Sequence, residues 1–160
     1  MSSHEWGEFV LEESTVLTYD ASIYESRSGT AEGTLSRMVF SDGRSIAVKP
    51  VVVVNLETMD VVGEEEGAIK LMVSASGTFT FHDEHSTLLF DGQWRLDENA
   101  AAILVRQHMV AELSARAALS GTGKNAFEGR TIIGELIIRI SGQDSSGFGV
   151  FKLTGKGTVT

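Results

Sequence analysis

The sequence predicts an all-β chain that closes as an eight-stranded, mostly antiparallel β-barrel. Three observations carry this. First, 17 glycines stand against a single proline. Many sit beside a small or acidic residue, as in Ser28-Gly29, Asp42-Gly43, Glu66-Gly67, Asp91-Gly92, Ser120-Gly121, Ser141-Gly142 and Ser146-Gly147. Gly accepts positive φ without steric cost, so these pairs punctuate a chain that reverses often. Second, the segments between them are short and rich in Val, Ile, Thr and Phe, which suit a pleated, half-buried surface. Third, several alternate with a period of two. Eight such strands can close on themselves around side chains or one small ligand.

In chain order, residues 1–14 read as an acidic arm, and a single barrel domain spans 15–160. Strands are expected at 15–24 and 32–40, followed by a hairpin turn at Asp42-Gly43. The third, 45–56, carries four valines at 51–54, which implies burial on both faces or cover by a partner subunit. Pro50 donates no ladder hydrogen bond and so marks an edge, a bulge or a bend. Glu64, Glu65 and Glu66 read as a solvated loop, with a metal or lid role as the alternative. The fourth strand, 68–81, has the clearest alternation. Ile69, Leu71, Val73, Ala75, Phe79 and Phe81 oppose Lys70, Met72, Ser74, Ser76, Thr78 and Thr80. Residues 87–96 follow after a polar turn. Residues 97–119 are ambiguous. Their Ala, Leu, Glu and Arg favour helix, yet from His108 onward Met109, Ala111, Leu113, Ala115, Ala117 and Leu119 oppose Glu112, Ser114 and Arg116. Strands at 131–140 and 148–159 complete the count.

Composition narrows the function classes. At 160 residues the chain is long enough to bury a full core without staples. It has no cysteine, which removes disulfides, a thiolate nucleophile and Cys-ligated metals. The formal net charge of −9 argues against a nucleic-acid partner and against an anionic membrane surface. The first residues lack a basic segment followed by an apolar run, and no apolar stretch is long enough to span a bilayer. The chain reads as soluble and cytoplasmic.

The motifs leave paired acids or a largely apolar pocket as the remaining chemistry. His82 and His85 are three apart, which on a strand or turn places them on opposite sides and forms no clean metal chelate. Ser120-Gly-Thr-Gly-Lys124 lacks the full spacing of a phosphate-binding loop. No nucleophile elbow is present. Phe79, Phe81, Phe90 and Trp94 fall on the apolar faces of two consecutive strands. They suit plain core, and they equally suit the lining of a ligand cavity. The neighbouring polar candidates for catalysis are Tyr19, Tyr24, Glu112 and Arg116.

The stretch 119–135, LSGTGKNAFEGRTIIGE, resembles the hairpin shared by allene oxide cyclases and plant dirigent proteins, roughly GGTG-x-F-x-G-x-x-G. Gly121-Thr122-Gly123, Phe127, Gly129 and Gly134 supply the match, with Ser120 in place of the first Gly and one insertion before Phe127. Residues 19–35, YDASIYESRSGTAEGTL, resemble the opening hairpin of that superfamily. GTFTF at 77–81 and LFDG at 89–92 suit its middle strands. The resemblance selects strand for 108–119, preceded by a short turn near Asn99. Its nearest branch is the small bacterial polyketide cyclases, including the spirotetronate-forming Diels–Alderases. No catalytic residue transfers by position, and the Cys found in plant allene oxide cyclases is missing, which disfavours a jasmonate-type cyclase.

What the resemblance implies is a cyclase that uses no metal or organic cofactor. It would fold a hydrophobic polyene or polyketide-like substrate inside the barrel, and confinement would prepay entropy. A lipocalin-like binding barrel and a structural barrel with a filled core are the alternatives. The valines at 51–54 and the alternating 131–140 strand offer more apolar surface than one interior needs, so a homodimer or homotrimer is expected.

Overall fold

The computed structural model describes residues 6–19, 27–105, 109–141 and 150–160. Ten strands form: β1 (Gly7–Tyr19), β2 (Ser28–Gly33), β3 (Ser36–Phe40), β4 (Ser45–Glu65), β5 (Ala68–His82), β6 (Leu88–Leu96), β7 (Ala100–Val105), β8 (Met109–Gly123), β9 (Thr131–Ser141) and β10 (Val150–Val159). They make one antiparallel sheet whose hydrogen bonds close into a ring. Two pairs of strands each occupy a single lane. β2 and β3 both lie between β1 and β4. β6 and β7 both lie between β5 and β8. The ring therefore has eight lanes in chain order, and β1 meets β10 with Gly7 opposite Val159 to complete it.

The interruptions have local causes. At the β2–β3 break, Ser14 Oγ donates to the Thr34 carbonyl at 2.7 Å and Ser36 Oγ donates to the Glu12 carbonyl at 2.6 Å. These two hydroxyls do the work of missing ladder bonds. Pro50 sits on β4 level with that break, between Val48, which pairs with Ser36, and Val51, which pairs with Glu32. The strand passes its residue without an N–H where its neighbour is interrupted.

Three expectations need correction. Residues 7–14, read as an arm, form the first half of β1. Phe9 and Leu11 are buried while Glu8, Val10 and Glu12 face outward, so a period of two was hidden under acidic composition. β4 continues through Glu65, and only Glu66 and Gly67 make the turn to β5. The described residues within 100–119 contain no helix, and they form two strands rather than one long one. β7 continues the lane of β6, and the chain reverses before β8, with Ala102 opposite Leu113. The bend at 97–99 matches the predicted turn near Asn99.

The core lies inside the ring. Inward positions on β5 are Leu71, Val73, Ala75, Phe79 and Phe81. On β9 they are Ile132, Leu136, Ile138 and Ile140. Strand parity was read correctly for both. At the end of the ring that holds Gly7, Phe40 and Val159, here the lower end, aromatic rings close the interior. Trp6 packs on Phe40 and Phe127 with ring centroids 4.8 and 4.7 Å apart, and Phe90 packs on Phe127 at 4.6 Å. Phe127 comes from a 3-10 turn, Asn125–Phe127, between β8 and β9. The Arg44 guanidinium covers Trp6 at 4.1 Å, so a cation lies against the outer side of the plug.

Candidate functional site

Inward-facing glycines shape the interior. Gly77, Gly92, Gly121, Gly134 and Gly157 run across β5, β6, β8, β9 and β10. Gly92 pairs with Gly121 and Gly134 pairs with Gly157. A Cβ at any of these five would overlap backbone of the adjoining strand. Neighbouring strands approach more closely there than side chains permit, which lets a small ring curve. Large rings fill the space the glycines leave. A Cβ on Gly92 would press on Phe79, and one on Gly157 would press on Phe9.

The four aromatic residues predicted to line a cavity are brought together, and they are fully enclosed. Phe79, Phe81 and Phe90 are 0–1% exposed and Trp94 is 3% exposed. Phe79 and Phe81 pack with centroids 5.0 Å apart. The Trp94 indole N–H is taken up by the Val53 carbonyl at 3.0 Å. These residues form the filled lower half and waist of the interior.

The upper half differs. Its inward side chains are mostly small or branched: Ala31, Val73, Ala100, Ala102, Ala115, Ile138 and Ile140. They also retain a thin margin of accessible surface. Ala115 is 8% exposed, and Ile138 and Ile140 are 7% exposed, whereas Ile132 and Leu136 lower on the same lane are 0 and 1%. Leu71 and Leu104 in the same half are 2% exposed. The β4–β5 turn at Glu66–Gly67 belongs to this upper end.

The predicted catalytic groups do not gather there as a set. Glu112 and Arg116 are exposed. They occupy even positions on β8, whose odd positions Ala115, Ala117 and Leu119 point inward. This corrects the expectation that they serve the apolar pocket. The Tyr19 backbone pairs with Ala31 at the upper end of β1. Tyr24 lies outside the described residues. Among the described residues, buried side chains are apolar except Ser14 and Ser36, whose hydroxyls are both committed to backbone carbonyls. No group of three or more His, Asp or Glu residues able to hold a metal ion occurs among the described residues.

Charged side chains stay on the outer face and in turns. Arg37 holds the Glu12 carboxyl below its ordinary value through a 2.9 Å hydrogen bond. The Arg44 backbone N–H does the same for Asp42, and the Thr87 backbone N–H, followed by that of His85, does so for Asp83. The backbone amides of His85 and Thr87 thus donate to the Asp83 carboxylate, which organises the His82–Thr87 turn. His85, at its apex, is exposed. No family model, no curated protein and no solved structure matches this chain.

Proposed function

We propose that the eight-lane ring is a β-barrel that binds an uncharged, apolar small molecule in its upper, alanine-rich half. What supports this is the small size of the inward side chains at Ala31, Ala100, Ala102 and Ala115, set against the aromatic lower half. Small inward side chains leave room, and the aromatic floor below gives a ligand a closed end to rest on. With no free polar side chain among the described buried residues, the chamber selects by shape and apolar area. A charged ligand would lose its hydration with nothing to replace it.

The chemistry such a chamber supports best is conformational. A flexible polyene held in a folded conformer gains effective molarity, worth up to ~7–11 kcal/mol in well-oriented reactions. The cofactor-free cyclase reading, with its likeness to allene oxide cyclases and bacterial polyketide cyclases, is the second reading. What favours it is the register position of Tyr19, opposite Ala31 at the mouth of the chamber.

Titration with a neutral naphthylamine dye tests the chamber. Wild type is expected to bind it with blue-shifted, enhanced emission, and Ala115→Phe is expected to abolish that signal with the unfolding midpoint retained. Absence of dye binding to wild type, or undiminished binding to Ala115→Phe, overturns the reading.

A further inference from the structure

The outer face of the ring carries a polar hollow of about 510 Å³ across β5, β6, β8 and β9. Register fixes its layout. Thr78, Gln93, Ser120 and Ile133 face one another in one outward row, and Ser76, Arg95 and Ala118 make the next. The rows lie roughly 6.8 Å apart and adjacent strands about 4.8 Å. Backbone at Gly77 and Gly134 borders the hollow, so it marks the level at which inward glycines draw the ring in. The side chains of Ser76, Thr78, Gln93 and Ser120 make no hydrogen bond among the described residues. Arg95 is the one ionised side chain among the described residues lining it, and its Nη1 donates to Glu57 Oε1 at 2.7 Å, so the pair leaves the hollow without net charge. Ala118 and Ile133, the latter 66% exposed, lay an apolar strip along one side. A second hollow of about 710 Å³ shares Ala118 and Ile133 and continues the groove over β10 to β1 and β3. Its charged groups are Glu8, Asp97, Glu135 and Lys156.

We propose that this groove binds a linear, uncharged oligosaccharide laid across the strands. The complement is chemical. Sugar hydroxyls both donate and accept, and so do the Ser, Thr and Gln side chains that stand without partners. The C–H faces of a sugar ring suit the strip made by Ala118 and Ile133. An anionic ligand would meet Glu8, Asp97 and Glu135 with only Lys156 in compensation. A wholly apolar ligand would strip water from the polar row and return no hydrogen bonds. From β5 to β1 the groove crosses five strand spacings of about 4.8 Å each, which is room for more than one sugar ring. The site lies on the outer face and does not depend on the chamber being a binding site.

Titration of the full chain with maltotetraose, cellotetraose and chitotetraose, followed by backbone-amide NMR, tests this. At least one of the three is expected to bind with a millimolar or tighter dissociation constant and to shift the amides of Thr78, Gln93, Ala118 and Ser120 together. The matching disaccharide is expected to bind more weakly. Ala118→Trp fills the floor that the two hollows share and is expected to lose binding. Gln93→Ala removes a donor and an acceptor and is expected to weaken binding roughly fivefold. Both substitutions are on the outer face, and unfolding midpoints check that the variants fold. If Ala118→Trp lowers its midpoint, Gln93→Ala, which removes no packing, carries the test. The proposal is overturned if none of the three tetrasaccharides shifts these amides, or if a folded Ala118→Trp or Gln93→Ala binds as wild type does. Tighter binding of a galacturonate or glucosamine tetramer overturns it as well, because the occupant is then selected by charge.

Discussion

The indole Nε1 of Trp94 on β6 donates a 3.0 Å hydrogen bond to the carbonyl of Val53 on β4. Between them lies β5, and the residue facing Trp94 is Gly77. The β4–β5 ladder pairs Val52 with Phe79 and resumes at Asn55 with Ser76, leaving Val53 and Val54 unbridged. The indole fills that gap. A side chain at position 77 would overlap the Val53 carbonyl and stand 3.1 Å from the indole nitrogen. Sequence, ladder and side chain thus form one clasp across three strands.

Trp94→Phe keeps the ring volume nearly intact and leaves the Val53 carbonyl without its donor. The expected loss is about 1–3 kcal/mol, the penalty for a buried acceptor left unpaired. Trp94→Ala also removes the packing and should lose about 3–5 kcal/mol. Urea unfolding of both variants checks this. A Trp94→Phe midpoint equal to wild type would show that the clasp contributes nothing.

Gly77→Ala should be far worse than substitution of a turn glycine. Its Cβ has backbone on the adjacent strand to displace, and overpacking of this kind costs roughly 1–3 kcal/mol or more. Gly43 has φ +93 and open space around its would-be Cβ. Gly43→Ala therefore suffers only left-handed backbone strain, about 1 kcal/mol. Comparing thermal midpoints of the two variants tests the ordering.

Acid should destabilise the fold through Glu12, Asp42 and Asp83. Each carboxyl is held below its ordinary value, 4.5 for Glu12 and 3.8 for the two aspartates, by hydrogen bonds that exist only in the folded chain. A depressed folded pKa stabilises above the unfolded value. That contribution is lost as pH falls from about 4.5 through the lowered folded values. All three groups are solvent-exposed, so the effect is modest and salt-sensitive. Urea midpoints between pH 7 and pH 2.5 should drop below about pH 4.5, and Asp83→Asn should flatten part of that slope.

Much of this architecture was legible because a sheet face repeats every two residues. The inward sets of β5, β8 and β9 could be read from alternation alone. The same alternation already placed Glu112 and Arg116 opposite Ala115 and Ala117, and following it would have excluded them from the interior. What stayed hidden depends on tertiary partners. The strand character of 7–14 becomes visible only when Gly157 and Phe40 face Phe9. β7 and β8 fall in a segment rich in helix-favouring alanines, where propensity and pattern conflict. The alanines at 100, 102 and 115 point inward, and their small size, not only their parity, sets the upper interior apart from the aromatic lower half.

Closure of the ring by β1 and β10 has a kinetic and a topological consequence. Gly7 faces Val159, and Thr131 and Thr160 exchange backbone hydrogen bonds at 3.0 Å. Contacts between the two extremes of the chain must wait for nearly all of it to be made, and a high contact order slows folding. The early and late segments also finish side by side at the plugged end. A short peptide joining them, with new ends cut at the Glu66–Gly67 turn, would convert the slowest closure into a local hairpin. Such a circular permutant should fold faster than the parent while keeping the same ring.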